Sequence, residues 1–538
     1  MTVSTPTLTP SMPPRVLGLG AAAEPPQSAR PRAARAAVDA SLVERARKPG
    51  YSAWLAHVSP AAACSNPVRL RLDAEWHSTD GRSSELHRVS DDMPDGLFYV
   101  ACKNRRATVC PACAETYRQD TYHLVKAGLL GGKGVPDTVA EHPCFFVTLT
   151  APTFGPVHSC SVGSNGRVRP CRVRRHLEVC EHGKILGCWH RHDTDDPRLG
   201  EPLCRDCYDY DRQAVWNLHA GELWRRTTIA LNRGLRAAAI DRGLFSWEVG
   251  ETSRRKVPHV RLSFAKVAEY QRRGVVHFHA LIRLDGYDPD NPERIITPDA
   301  AITPELLRAY IDDAARTTAF TMRPHPANRQ GWDIAWGEQL DIRSVHLRPA
   351  DVDDAGTLTT DAVAGYLAKY ATKATEEAGH TSRRLSEIDI FRLTEEQDTH
   401  QTRQLQACWS LGRRPFYVTK ASDRDEWDAT WGKLCKWAHM LGFGGHFSTK
   451  SRRYSTTLGA LRAVRRAYQR GEPIEPPAEH SARDDDQDGD DAAVTLTWTF
   501  DGAGWLTTGD AALANTSAAM ARERRQIARE EIEHQLAA

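Results

Sequence analysis

Two histidines at spacing i, i+2, His277 and His279, interrupt the apolar run RRGVVHFHALIRL at 272–284. Such a short β-branched and apolar run, launched by a turn signal, reads as a buried strand. Side chains alternate faces along a strand, so both imidazoles point to one side and can share one metal ion, while Phe278 faces a core. Residues 260–271 supply the preceding strand. If Arg272-Arg273-Gly274 is a three-residue hairpin loop with Gly274 left-handed, Gln271 pairs with Val275 and Glu269 with His277. Glu269 is then a candidate third ligand. A two-residue loop would shift the pairing by one and turn Glu269 away; the three-residue loop is the preferred reading. Two histidines in a strand can also be mere half-buried polar residues, so the weight falls on the rest of the chain.

Residues 361–376 are dominated by alanine, leucine and lysine and predict a helix. Tyr366, Lys369, Tyr370 and Lys373 share one helical face at i, i+3, i+4 and i+7. Phenols interleaved with ammonium groups suit a helix that offers nucleophiles to a phosphate. A phenol titrates near ~10 and needs a metal or base to activate it; the lysines would neutralise phosphate oxygens. An ordinary solvated amphipathic face is the plainer alternative.

A third piece, CFFVTLT at 144–150, reads as an apolar strand able to pair beside the histidine strand. In order, FFVTLT, HFH and YLAKYATK resemble the three motifs of the HUH endonucleases, and the YxxKYxxK form resembles their two-tyrosine subgroup. More closely, the chain resembles the rolling-circle replication initiators of actinobacterial plasmids and integrative conjugative elements over residues 64–454. That likeness includes CKNRRATVCPACAETYRQDTYHL, PLCRDCYDYDRQAVWN and WAHMLGFGGHFSTKSRRYS.

The resemblance implies an α+β fold: an antiparallel sheet of about five strands flanked by helices, with motifs 1 and 2 on central strands. It implies Mg²⁺ or Mn²⁺ on His277 and His279, with Glu269 as the added candidate ligand. Tyrosine attack on single-stranded or hairpin origin DNA would leave a 5′-phosphotyrosine and a free 3′-hydroxyl, followed by rejoining of the product strand. Tyr370 is the expected first nucleophile and Tyr366 the second. Host helicase and polymerase would be partners. A two-tyrosine HUH transposase and a non-catalytic zinc-containing DNA-binding regulator are the alternatives.

The 538 residues suffice for several domains. Lys+Arg 71 against Asp+Glu 69 leaves no global basic field, so any nucleic-acid surface must be local. No apolar run approaches the ~20 residues of a membrane span, and the amino terminus lacks a signal-peptide core; a cytoplasmic protein is expected. In that reducing compartment the 13 cysteines, several in CxxC pairs, point to zinc rather than disulfides. Two structural zinc ions are expected. One is assigned to Cys64, Cys102, Cys110 and Cys113. For the other, Cys204 and Cys207 form a clear half-site whose partners are ambiguous among Cys180, Cys188, His182, His190 and His192, with Cys160 and Cys171 further back. The set adopted is Cys180, Cys188, Cys204 and Cys207.

The expected domains are a disordered tail (1–50), a zinc module (51–142) and a nuclease core (143–378) with a zinc-binding insertion near 156–212. A basic helical carboxy-terminal domain (379–470), an acidic linker (471–493) and a tail (494–538), read as a hairpin and a charged helix, follow. Residues 403–470 mix arginine and lysine with aromatics, a combination that suits single-stranded DNA. Arg413, Arg414, Lys450, Arg452 and Arg453 are the candidate DNA contacts.

Overall fold

The computed structural model describes residues 32–77, 84–163, 165–250, 253–345, 360–371, 383–470 and 494–537. The expected tail up to residue 31 and the acidic linker 471–493 lie outside them; residues 32–47, placed in that tail, form a helix (Arg32–Arg47). The fold is mixed α+β, and the described residues fall in two compact units, those within 120–470, and those within 32–119 together with 494–537.

The larger unit is built on a five-stranded antiparallel sheet. Its strands are β1 (Cys144–Leu149), β2 (Val260–Tyr270), β3 (Val276–Gly286), β4 (Leu340–Ser344) and β5 (Ser448–Lys450), in the order β4-β1-β3-β2-β5. The histidine strand β3 is central, with β1 and β2 on its two sides. Near-continuous burial of β3 explains why its sequence is an apolar run and not an alternation.

One sheet face carries Phe145, Val147, Leu149, Phe278, Ala280 and Ile282. It shares a core with Val215, Trp216, Leu223, Trp224 and Leu231 of α1 (Tyr210–Asp241). Trp216 is fully buried. Helix α2 (Pro304–Thr317) begins at a threonine cap, with Thr303 Oγ1 accepting from Leu306 N at 3.3 Å. Helix α3 (Thr360–Ala371) packs against β2 and buries Val363, Ala364, Leu367 and Ala368. Those positions form an apolar stripe beside Tyr366.

The region 379–470 does not stand apart. It contributes edge strand β5, and Trp431, Leu434, Ala438, Phe443 and Phe447 join the core of the α1 face. Helix α4 (His400–Gly412) packs on α1.

In the smaller unit, Val68–His77 pairs antiparallel with Ser84–His87, Phe98–Val100 and Val494–Ala503. The stretch after 494 is therefore one strand and a helix (Thr508–Ala537), not a hairpin. Its ladder partner comes from the other end of the chain, which no local pattern reveals. Trp54, Val58, Leu97, Tyr99 and Ala514 form this unit's core.

Candidate active site

The geometry begins at the turn between β2 and β3. Gly274 has φ +75°, its N–H donates to Gln271 O at 2.8 Å, and Gln271 N donates to Val275 O at 2.8 Å. This is the three-residue loop, and it sets Glu269 opposite His277. Two α1 side chains hold it: Gln213 Nε2 and Asn217 Nδ2 donate to Gly274 O at 3.1 and 3.0 Å, and Asn217 Oδ1 accepts from Val276 N at 3.1 Å.

On the opposite sheet face from α1, Glu269 Oε2 lies 3.0 Å from His277 Nε2 and 3.2 Å from His279 Nε2. Ligand atoms of the three residues lie within 4.8 Å of one another. Burial opposes ionisation of Glu269, but its hydrogen bonds from His277 and His279 outweigh that and bring the carboxyl down to about 2. Burial pushes His279 down to about 4, against the pull of Glu269. At neutral pH the site thus presents an ionised carboxylate and a neutral imidazole at His279, the donor set that a hard or borderline divalent cation takes.

Thr148 Oγ1, across the sheet on β1, lies 3.0 Å from His279 Nδ1. With a cation in place of the Glu269 hydrogen bond, that nitrogen would donate to the hydroxyl and Nε2 would offer its lone pair to the site. Phe146 stacks on His279 at 5.6 Å and meets the Tyr366 ring edge-on at 5.8 Å.

Tyr366 reaches this cluster from α3, its hydroxyl 3.2 Å from His279 Nε2. Lys369, one turn on, is exposed. The side chain of Tyr370 and the whole of Lys373 lie outside the described residues. The structure thus joins Tyr366 to Glu269, His277 and His279. Thr148, Gln213 and Asn217 went unnoticed in the sequence because their roles depend on which element lies alongside the hairpin.

The proposed DNA residues disperse. Arg413 and Arg414 are surface groups facing Glu387 and Asp428, next to Phe416 and Tyr417, of which Phe416 is 94% exposed. Arg452 and Arg453 face Glu293. Lys450 Nζ donates to the carbonyls of Ser451, Arg452 and Ser455, and burial lowers it to about 8. Four aromatics of the 403–470 stretch, Trp431, Phe443, Phe447 and Tyr454, are buried and so are not open to stack on bases.

Cys64, Cys102, Cys110 and Cys113 converge as expected, with Cys64 and Cys110 sulfurs 3.8 Å apart. Burial opposes ionisation of Cys110, yet N–H donors from Ser65 and Cys113 help bring its thiol down to about 7. The four-cysteine set in the insertion does not form. Cys180, Cys204 and Cys207 group with His182, and Cys188 groups with His158, Cys171 and His192. Among the described residues there are therefore three such cysteine-containing clusters, where two were expected.

A carboxylate and two imidazoles on an antiparallel sheet, with a helix-borne tyrosine against them, form a group that could hold a divalent cation beside a phenol. The replication initiator protein family typified by that of pSAM2 (RepSA) matches residues 50–519, and the chain belongs to that family. A replication initiator protein of Streptomyces ambofaciens is 40% identical over 504 residues, covering 92% of this chain and 96% of that protein. No solved structure gives a significant match. No helix among the described residues is long and apolar enough to cross a membrane.

Proposed function

We propose that the chain starts rolling-circle replication as an HUH-type nicking and joining endonuclease acting on single-stranded or extruded origin DNA. The observation that carries this is the Tyr366 hydroxyl 3.2 Å from His279 Nε2, on the face that holds Glu269 and His277. Glu269, His277 and His279 would hold Mg²⁺ or Mn²⁺, which when bound polarises the scissile phosphate and lowers the barrier to attack.

The chain's own groups do the rest. Thr148 orients His279, the stripe of Val363, Ala364, Leu367 and Ala368 anchors α3, and α3 aims the tyrosine. The phenol gives up its proton and its oxygen bonds to phosphorus. The bond from phosphorus to the 3′-oxygen breaks, and that oxygen takes a proton to become the primer 3′-hydroxyl. The 5′-phosphate stays on tyrosine until a second attack rejoins the strand.

Tyr370, one turn beyond Tyr366, would supply the other nucleophile of the pair, with Lys369 and Lys373 neutralising phosphate oxygens. Arg413, Arg414, Arg452 and Arg453 would contact DNA phosphates, whereas Lys450 serves the fold through its three carbonyls. Host helicase and polymerase would act on the nicked product. Cys64, Cys102, Cys110 and Cys113 would hold a structural zinc.

The test is an SDS-resistant protein–oligonucleotide adduct formed from origin single strand with Mn²⁺. Tyr366→Phe and Tyr370→Phe should each impair cleavage or joining, and the double variant should form no adduct. An undiminished adduct in the double variant would remove α3 from the chemistry, and DNA binding with no adduct under any condition would favour a non-catalytic regulator.

A further inference from the structure

The insertion between β1 and α1 has little apolar core of its own; six of its large hydrophobics, Val162, Val173, Leu177, Val179, Ile185 and Trp189, are exposed. A segment of this kind needs cross-links to hold one shape. Eight of its cysteines and histidines occur as four pairs along the chain: His158 with Cys171, Cys180 with His182, Cys188 with His192, and Cys204 with Cys207. The first and third pairs converge at one point, the second and fourth at another.

Spacings lie within about 0.4 Å of those of tetrahedral zinc. Bonds of ~2.0 Å to nitrogen and ~2.3 Å to sulfur put ligand atoms roughly 3.3 to 3.8 Å apart. His158 Nδ1 is 3.1 Å from His192 Nε2, Cys188 Sγ is 3.5 Å from that nitrogen, and Cys171 Sγ is 3.9 Å from His158 Nδ1. In the other group His182 Nδ1 is 3.2 Å from Cys207 Sγ. Asp196 Oδ2, 2.7 Å from His192 Nδ1, supplies the outer carboxylate that commonly orients a ligating imidazole.

The same segment grips the catalytic hairpin. Arg272 donates to Asp196 O at 3.0 Å and to Thr194 O at 2.6 Å. Gly200, at φ +90°, lies so close that a Cβ there would meet the Arg272 carbonyl carbon at 2.6 Å. Arg272 stands three residues from Glu269 and five from His277.

We infer that the insertion binds two zinc ions in an interleaved, cross-braced arrangement, His158/Cys171/Cys188/His192 and Cys180/His182/Cys204/Cys207, and that this double staple clamps the 272–274 turn. Ions that alternate along the chain tie each loop to the next, so neither loop pair can close without its neighbour. The inference stands whether or not the adjacent site nicks DNA.

The experiment is zinc content of the full chain by mass spectrometry, with variants at both sites. Cys171→Ser should lose at least one zinc, and Cys188→Ser with Cys207→Ser should lose at least two. Full zinc retention by Cys171→Ser, or loss of a single ion by the double variant, would overturn the pairing. Should these variants misfold, His158→Cys and His182→Cys each exchange an imidazole for a thiolate. Both should keep their metal and, with Co²⁺ in place of zinc, gain sulfur-to-cobalt absorbance; unchanged absorbance in either overturns its site. For the clamp, amide exchange across 271–276 should rise in Cys171→Ser, and unchanged protection would refute it.

Discussion

Replacing Gly274 by alanine tests the link between the turn and the site. A left-handed non-glycine residue costs ~1 kcal/mol. The new Cβ would also meet Gln404 Nε2 at 2.5 Å and Leu441 Cδ1 at 2.7 Å. Gln404 is 3% exposed and its amide donates to Arg273 O at 2.6 Å, so it cannot swing aside without giving up that hydrogen bond. Overpacking of this kind costs about 1–3 kcal/mol, so Gly274→Ala should destabilise the larger unit by roughly 2–4 kcal/mol. The strain falls on the loop that holds Glu269 opposite His277, so Mn²⁺ affinity should fall together with Tm. Calorimetric unfolding and titration calorimetry with Mn²⁺ read the two effects. An alanine variant with both Tm and Mn²⁺ affinity unaltered would refute the argument that this glycine sets the register of the ligands.

Glu269→Gln keeps the shape and removes the charge; Mn²⁺ binding should weaken by more than the 10–100-fold typical of an outer-sphere partner, and equal affinity by calorimetry would exclude Glu269 as a ligand. In metal-free protein, His279 falls from 6.5 to about 4 on folding. Its contribution is therefore present above pH 6.5 and lost as pH falls towards 4, up to about 3 kcal/mol. Glu269, lowered from 4.5 to about 2, adds a further loss below pH 4.5. Urea unfolding at pH 7 and pH 4.5 should show the decline, and His279→Gln should flatten it. Asp285→Ala strips the buried Arg283 of a carboxylate at 2.7 Å that also binds His142 and Ser263. A loss of about 3–5 kcal/mol is expected, and a denaturation change below about 1 kcal/mol would contradict an uncompensated buried charge.

Local information in the chain was enough for the parts that one or two elements define. The i, i+2 histidines, a glycine at the hairpin turn and the cap at Thr303 are short-range patterns, and strand alternation or helix periodicity converts them directly into a shared face or a helix start. Glu269 belongs to this class, since one loop length relates it to His277. The position of Thr148 against His279 required the β1–β3 register, and the reach of Tyr366 required α3 to pack against β2. Pairing of the insertion's ligands was likewise a tertiary decision: its half-sites offer interchangeable sulfur and nitrogen donors, so only the chain's path in space separates Cys188 from Cys204 and Cys207. The strand Val494–Ala503 shows the same limit, because a ladder hydrogen bond records no sequence distance and its partner, Val68–His77, lies at the far end of the chain.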